Sequence, residues 1–201
     1  MQDIIFIVGL IIALTIHEFS HSLAADRLGD PTPRSQGRLT LNPLAHLDPL
    51  GTLMLIIAHF GWGKPVPIDP YNFRSPRRDE LLVSLAGPSS NLILALLFTL
   101  AIRLFSPPFL AATVLFLFIQ VNVYLAIFNL LPIPPLDGSK IFLNLLPPDI
   151  AATWEEALTR YGPILLIILI FFPFLGGNLL SSILLPIVNT LLGLLARIAL
   201  V

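Results

Sequence analysis

Apolar positions in this chain come in long blocks rather than in alternation. Residues 4–25, 81–104, 109–131 and 179–201 each approach the roughly 20 mostly apolar residues that a membrane-crossing helix needs. Residues 162–175 form another apolar block, shorter and closed by Gly176-Gly177, which leaves open a second C-terminal span or a re-entrant helix. Polar positions interrupt these blocks. The first turns polar after Thr15, with His17, Glu18, Ser20 and His21. The third holds Gln120, Asn122 and Asn129, and the last holds Pro186 and Arg197.

Between the first two spans, residues 26–80 follow another pattern. Their centre, residues 50–60, is apolar but too short to cross a bilayer. On either side, residues 37–41 and 62–68 read as strand-like pieces, the second rich in Pro and Gly. The whole reads as a re-entrant loop with β character, residues 37–69. Irregular backbone at membrane depth survives only beside protein or a water-filled cavity, so this loop is expected to border one.

Composition agrees with a bilayer as solvent. Of the 201 residues 56% are hydrophobic and 11% charged, with mean hydropathy +0.89; soluble domains carry roughly 25% charged residues. The net charge of −1 gives no reason to expect nucleic acid. The absence of cysteine removes disulfides, thiolate metal sites and cysteine nucleophiles. Only Met1, Gln2 and Asp3 precede the first apolar block, with no basic segment and no A-x-A-like cleavage site, so the first helix is expected to be retained. Arg27, Arg34, Arg38, Lys64, Arg74, Arg77 and Arg78 all follow the first span, which places the long loop in the cytosol and the N-terminus outside. Arg74, Arg77 and Arg78 read as topology determinants near anionic lipid.

His17-Glu18-Phe19-Ser20-His21 is an H-E-x-x-H motif at the end of a membrane helix. Positions i and i+4 share a helix face, so both imidazoles can reach one zinc ion, while Glu18 is displaced toward a water beside it. Ionisable groups inside a membrane are costly, and function is their default explanation. From Ile4 to Ile16 the helix rises about 20 Å of a hydrocarbon core about 30 Å thick, which puts the site in its cytosolic third. A catalytic zinc takes three protein ligands and leaves one position open. Candidates for the third are His46, Asp48, His59, Asp69, Glu80 and Asp137. Asp137 is best placed, because it follows the third span at the same depth and the prolines at 132, 134 and 135 free the backbone there. Weaker candidates remain. Asn129 can donate to a substrate carbonyl or bond between helices, and His46 can face the site from the loop. Asn91, beside Gly87, Ser89 and Ser90, reads as helix packing.

His17-Glu18-Phe19-Ser20-His21, with residues 129–138 (NLLPIPPLDG), resembles the site-2 protease family of intramembrane zinc metalloproteases. Gly87-Pro88-Ser89-Ser90-Asn91 is similar to the family's middle motif, and residues 41–51 and 62–67 to the re-entrant region of its compact prokaryotic members, which lack PDZ or CBS domains. The resemblance implies that His17, His21 and Asp137 hold one catalytic zinc, with Glu18 as base. It implies a substrate that is a transmembrane helix of another protein, cut within the bilayer, in a prokaryotic cytoplasmic membrane with the site near the cytosolic side. The expected fold is an all-α polytopic membrane protein forming one domain over residues 1–201. Its three-helix catalytic core and loop occupy residues 4–146, and C-terminal helices residues 162–201. A substrate strand is expected to pair beside Val66. Rival readings are a metal transporter or sensor, which needs no base and wants a polar path across the membrane, and a catalytically silent helix-binding homologue, which would have lost a ligand or the glutamate.

Overall fold

The structure, a computed structural model, describes residues 2–58, 61–174 and 177–200. Helix α1 (Gln2–Leu28) gives way at Gly29, whose φ of 111° continues no right-handed helix. Two short elements follow, α2 (Thr32–Ser35) and α3 (Pro49–Ala58). Helix α4 (Pro76–Phe105) opens on a proline, where the missing N–H costs nothing, and ends before Pro107-Pro108. Helix α5 (Phe109–Asn129) is stopped by the prolines at 132, 134 and 135. Next come α6 (Asp137–Leu145), α7 (Pro148–Phe171), a two-residue hairpin of β1 (Pro173–Phe174) with β2 (Gly177–Asn178), and α8 (Leu179–Leu200).

Helices α1, α4 and α5 pack on one another as the central three-helix unit, and α8 covers α4 and α5. Ala95, Ile119, Val123 and Val188 close that second junction. Among the described residues, four helices are long and apolar enough to cross a membrane: α1, α4, α5 and α8. In the most apolar stretch of α1 and of α4 only 33% of residues are buried in protein, yet the remainder is apolar as well. A helix that stays hydrophobic on its uncovered sides has lipid as its solvent, so the chain is an integral membrane protein of all-α class.

Two expectations need correction. Of the apolar block at residues 162–175, residues 162–171 are the distal part of α7, which begins at Pro148 and carries Asp149, Glu155, Glu156 and Arg160 ahead of them; α7 is not among the candidate spans. Residues 37–41 and 62–68 form no sheet among the described residues. The loop holds one isolated antiparallel bridge, Leu47 with Gly63, and its apolar centre is helical, as α3. Pro65 and Pro67 remove the donors a ladder would need. Side chains tie the loop instead. The Arg38 guanidinium donates to the carbonyls of Lys64 (2.5 Å) and Pro65 (2.8 Å), and Lys64 N–H donates to His46 O (2.8 Å). His46, fully buried, bonds Thr40 O through Nε2 (2.7 Å).

Asp30 anchors the other side of the loop. Its carboxylate, fully buried, accepts from Thr32 N–H (3.0 Å), Asp69 N–H (2.9 Å) and Asn72 Nδ2 (2.9 Å). Burial alone would raise its pKa, but the hydrogen bonds from Thr32, Asp69 and Asn72 outweigh burial and hold it below the ordinary carboxylate range. The lowered value means that the stabilisation is fully present above the unfolded-chain pKa of about 3.9 and fades as pH falls below it. Asp30→Ala should therefore lower thermal stability at neutral pH by about 2 kcal/mol, and the gap to wild type should narrow in acid. Equal melting of the two at neutral pH would count against this anchor.

Candidate metal centre

H-E-x-x-H sits on α1, where it meets α4 and α6. His17 and His21 are buried, at 3% and 6% exposure. Their Nε2 atoms lie 3.1 Å apart, and each approaches Asp137 Oδ2, at 3.1 Å from His17 and 3.2 Å from His21. Asp137 is the first residue of α6, so its charge faces the favourable end of that helix. The turn from α5 carries it there: Leu136 N–H donates to Ile133 O, and Ile133 N–H to Leu131 O.

The hydrogen bonds fix which lone pairs converge. His21 Nδ1 lies 2.7 Å from the backbone carbonyl of Val83, which can only accept, so Nδ1 carries the proton and neutral His21 offers a bare Nε2. His17 Nδ1 lies 2.7 Å from Asn91 Oδ1. The Asn91 amide is oriented by its own nitrogen, which donates to Ala13 O (3.0 Å) and Asn122 Oδ1 (2.9 Å), and Asn122 is in turn held on Phe118 O (2.8 Å). This chain assigns the His17 proton to Nδ1 as well. Two imidazole lone pairs and a carboxylate oxygen then point at one spot, an arrangement that repels itself until a cation fills it. The spacing suits such a cation: donors about 2.0–2.1 Å from a tetrahedral zinc lie about 3.3–3.4 Å apart. The three residues can hold a metal ion.

Gly87 makes the close approach possible. A Cβ at this point of α4 would press on His21 Nε2 and come within 2.7 Å of His17 Nε2. Glu18, 9% exposed, makes no side-chain hydrogen bond among the described residues, so its carboxylate is uncommitted beside the cluster.

The other candidates are occupied elsewhere. Asp48 caps α3 through Gly51 N–H (2.7 Å). Asp69 accepts from Tyr71 N–H (3.0 Å). Glu80 accepts from Asn144 Nδ2 (3.1 Å) and faces Lys140 (3.6 Å). His59 lies outside the described residues. His46 is locked in the loop, and the Asn129 amide donates to Leu125 O of its own helix (2.9 Å). The backbone N–H groups of Val66 and Ile68 have no partner among the described residues. Asn91 is the neighbour of the cluster that the sequence underrated. Its small neighbours point to packing, and only the 74-residue separation closed by the fold brings it to His17.

Comparison with known proteins follows the same line. The sequence profile of Peptidase family M50 matches residues 107–169. The chain is 43% identical over 183 residues to "Putative zinc metalloprotease YwhC" of Bacillus subtilis (strain 168), spanning 87% of this chain and 83% of that protein. It is 38% identical over 184 residues to "Putative zinc metalloprotease Rip2" of Mycobacterium tuberculosis (strain H37Rv), spanning 87% and 69%. A more distant relative, from Methanocaldococcus jannaschii, is 28% identical over 141 residues. No solved structure matches the chain significantly. With relatives this similar aligned along most of its length, the chain belongs to peptidase family M50, the site-2 protease family of membrane metalloproteases.

Proposed function

We propose that this protein hydrolyses peptide bonds within transmembrane helices of other membrane proteins, with His17, His21 and Asp137 holding one zinc ion and Glu18 as the catalytic base. One observation carries the proposal: two bare imidazole nitrogens and a carboxylate oxygen converge within 3.2 Å beside an uncommitted glutamate. Zinc held there would supply Lewis acidity and make a water more acidic. Glu18 removes the proton from the attacking water and returns it to the amine as the C–N bond breaks. Asn91 and the Val83 carbonyl keep both Nε2 atoms deprotonated and aimed. The Lys and Arg distribution supports an N-terminus outside and a site near the cytosolic face of a prokaryotic cytoplasmic membrane, and relatives named as zinc metalloproteases support the metal.

An intact substrate helix hides its carbonyls in i to i−4 bonds and must unwind before attack. The free N–H groups of Val66 and Ile68, two residues apart on the strap held by Arg38, suit main-chain pairing with the unwound segment. Protein reconstituted with a model transmembrane substrate should cleave it, lose activity with a chelator and regain it with zinc. Val66→Pro should slow cleavage about fivefold, the value of one main-chain hydrogen bond, with zinc content unchanged. Normal cleavage by Val66→Pro would place the substrate elsewhere, and no cleavage by metal-replete wild type of any helix that Gly or Pro has loosened would sink the proposed activity.

Asn91→Leu isolates the buried relay. Loss of an outer hydrogen-bond partner of a ligating histidine typically costs 10–100-fold in metal affinity. Zinc affinity should fall by about that factor with helix content preserved, and unchanged affinity would show that Asn91 only packs.

A further inference from the structure

Arginines at the end of α1 and the start of α4 converge on a cavity that the metal centre does not use. It has a volume of about 360 Å³ and is lined by Arg27, Arg74 and Arg78, with Gly29, Ser75 and Asp79 among the remaining wall. Most cations of this chain are engaged. Arg34 pairs with Asp26, Lys140 with Glu80, Arg38 and Arg77 bond backbone carbonyls, Arg103 reaches Ile198 O, and Arg160 lies over Tyr161. Among the described residues, only Arg27, Lys64, Arg74, Arg78 and Arg197 have no hydrogen-bond, ion-pair or ring partner. Three of these five face the same cavity. Asp79, its one acidic wall, is buried and accepts from Ser75 N–H (2.9 Å). Asp26, next to Arg27, is already taken by Arg34 (2.7 Å). The cavity therefore gathers three exposed arginines that no described protein group hydrogen-bonds or ion-pairs, although Arg27 also acts on the Asp26 charge, and such fork-shaped donors are the chemistry that recognises phosphate.

Its depth suits a lipid phosphate. Helix α1 has 27 residues and is about 40 Å long, while the hydrocarbon core is about 30 Å thick. Arg27, in its last turn, thus reaches the headgroup layer. We propose that this cavity binds a phosphate group through Arg27, Arg74 and Arg78, supplied by an anionic phospholipid headgroup or by a soluble phosphate.

Native mass spectrometry of the full-length protein, equilibrated in detergent with mixed phosphatidylglycerol and phosphatidylcholine, tests this. Wild type should retain phosphatidylglycerol in preference to phosphatidylcholine. Each single variant, Arg27→Gln, Arg74→Gln or Arg78→Gln, should weaken retention about fivefold, and the triple variant about a hundredfold. Retention that survives millimolar inorganic phosphate identifies the lipid as the source; displacement by it identifies a soluble phosphate. An Arg160→Gln/Arg197→Gln variant controls for charge and should retain lipid like wild type. If the three single variants and the triple variant bind like wild type, or the control loses as much, the cavity is not a phosphate site. Zinc content and helical circular dichroism separate these outcomes from misfolding, and the single variants stand if the triple variant does not fold.

Discussion

Glu18→Gln should leave zinc bound at near wild-type stoichiometry and reduce cleavage of a transmembrane substrate by about a thousandfold or more, within the range general acid–base catalysis supplies. The separation is expected because Glu18 is no member of the ligand triangle: His17, His21 and Asp137 meet one another at 3.1–3.2 Å without it. Glutamine matches glutamate in size and keeps an acceptor oxygen, so packing on α1 is undisturbed, but its amide cannot take a proton from water. No described side chain compensates. On the loop, Arg38 feels the Glu18 charge, and its guanidinium is committed to the carbonyls of Lys64 and Pro65. Metal analysis and single-turnover cleavage on one preparation decide the matter. Turnover near the wild-type rate would remove Glu18 from the chemistry, and loss of zinc would make it a ligand.

Which parts of this architecture were readable in advance follows from how far apart the interacting residues lie. His17, Glu18 and His21 are local: one helical turn sets their geometry, so the spacing sufficed. The spans were also local, since hydropathy summed along one helix marks them. It misplaced ends where helices continue through charge, as α4 does in beginning at Pro76 ahead of Arg77, Arg78, Asp79 and Glu80. The same blindness hid the first half of α7. Asp137 needed one further inference, from prolines that end α5 and return the chain at equal depth. Partnership across the fold was not readable. Strand-like composition at residues 62–68 says nothing about a partner edge, and among the described residues none forms beyond the Leu47–Gly63 bridge. Asn91 looked like a packing residue because an amide beside small residues has the same local pattern whether it meets a helix or a histidine. The roles of Arg38 and Gly87 likewise exist only through contacts with distant segments.

Asp137→Ala should abolish stable zinc binding and activity together, whereas Asp48→Ala, Asp69→Ala and Glu80→Ala should keep zinc. The contrast rests on occupation. Asp48 caps α3, Asp69 caps the turn at Tyr71, and Glu80 serves Asn144 and Lys140, so none is available to the centre. Asp137 alone among them brings an oxygen to both imidazoles. Removing it leaves two neutral nitrogens, and the charge that offsets the ion in a low-dielectric site is gone. The loss should therefore exceed the hundredfold or so that an outer-shell partner can cost. Asp137→Asn refines the test, since it keeps the shape and one oxygen while removing the charge, and should hold zinc weakly and cleave poorly. A misfolded variant would confuse the result, so helix content must match wild type, as Gly138 packs directly on the carbonyls of Leu130 and Leu131 and the turn tolerates little change. Wild-type zinc affinity in a folded Asp137→Ala protein would mean that the third ligand comes from another residue, with His59 the first to test.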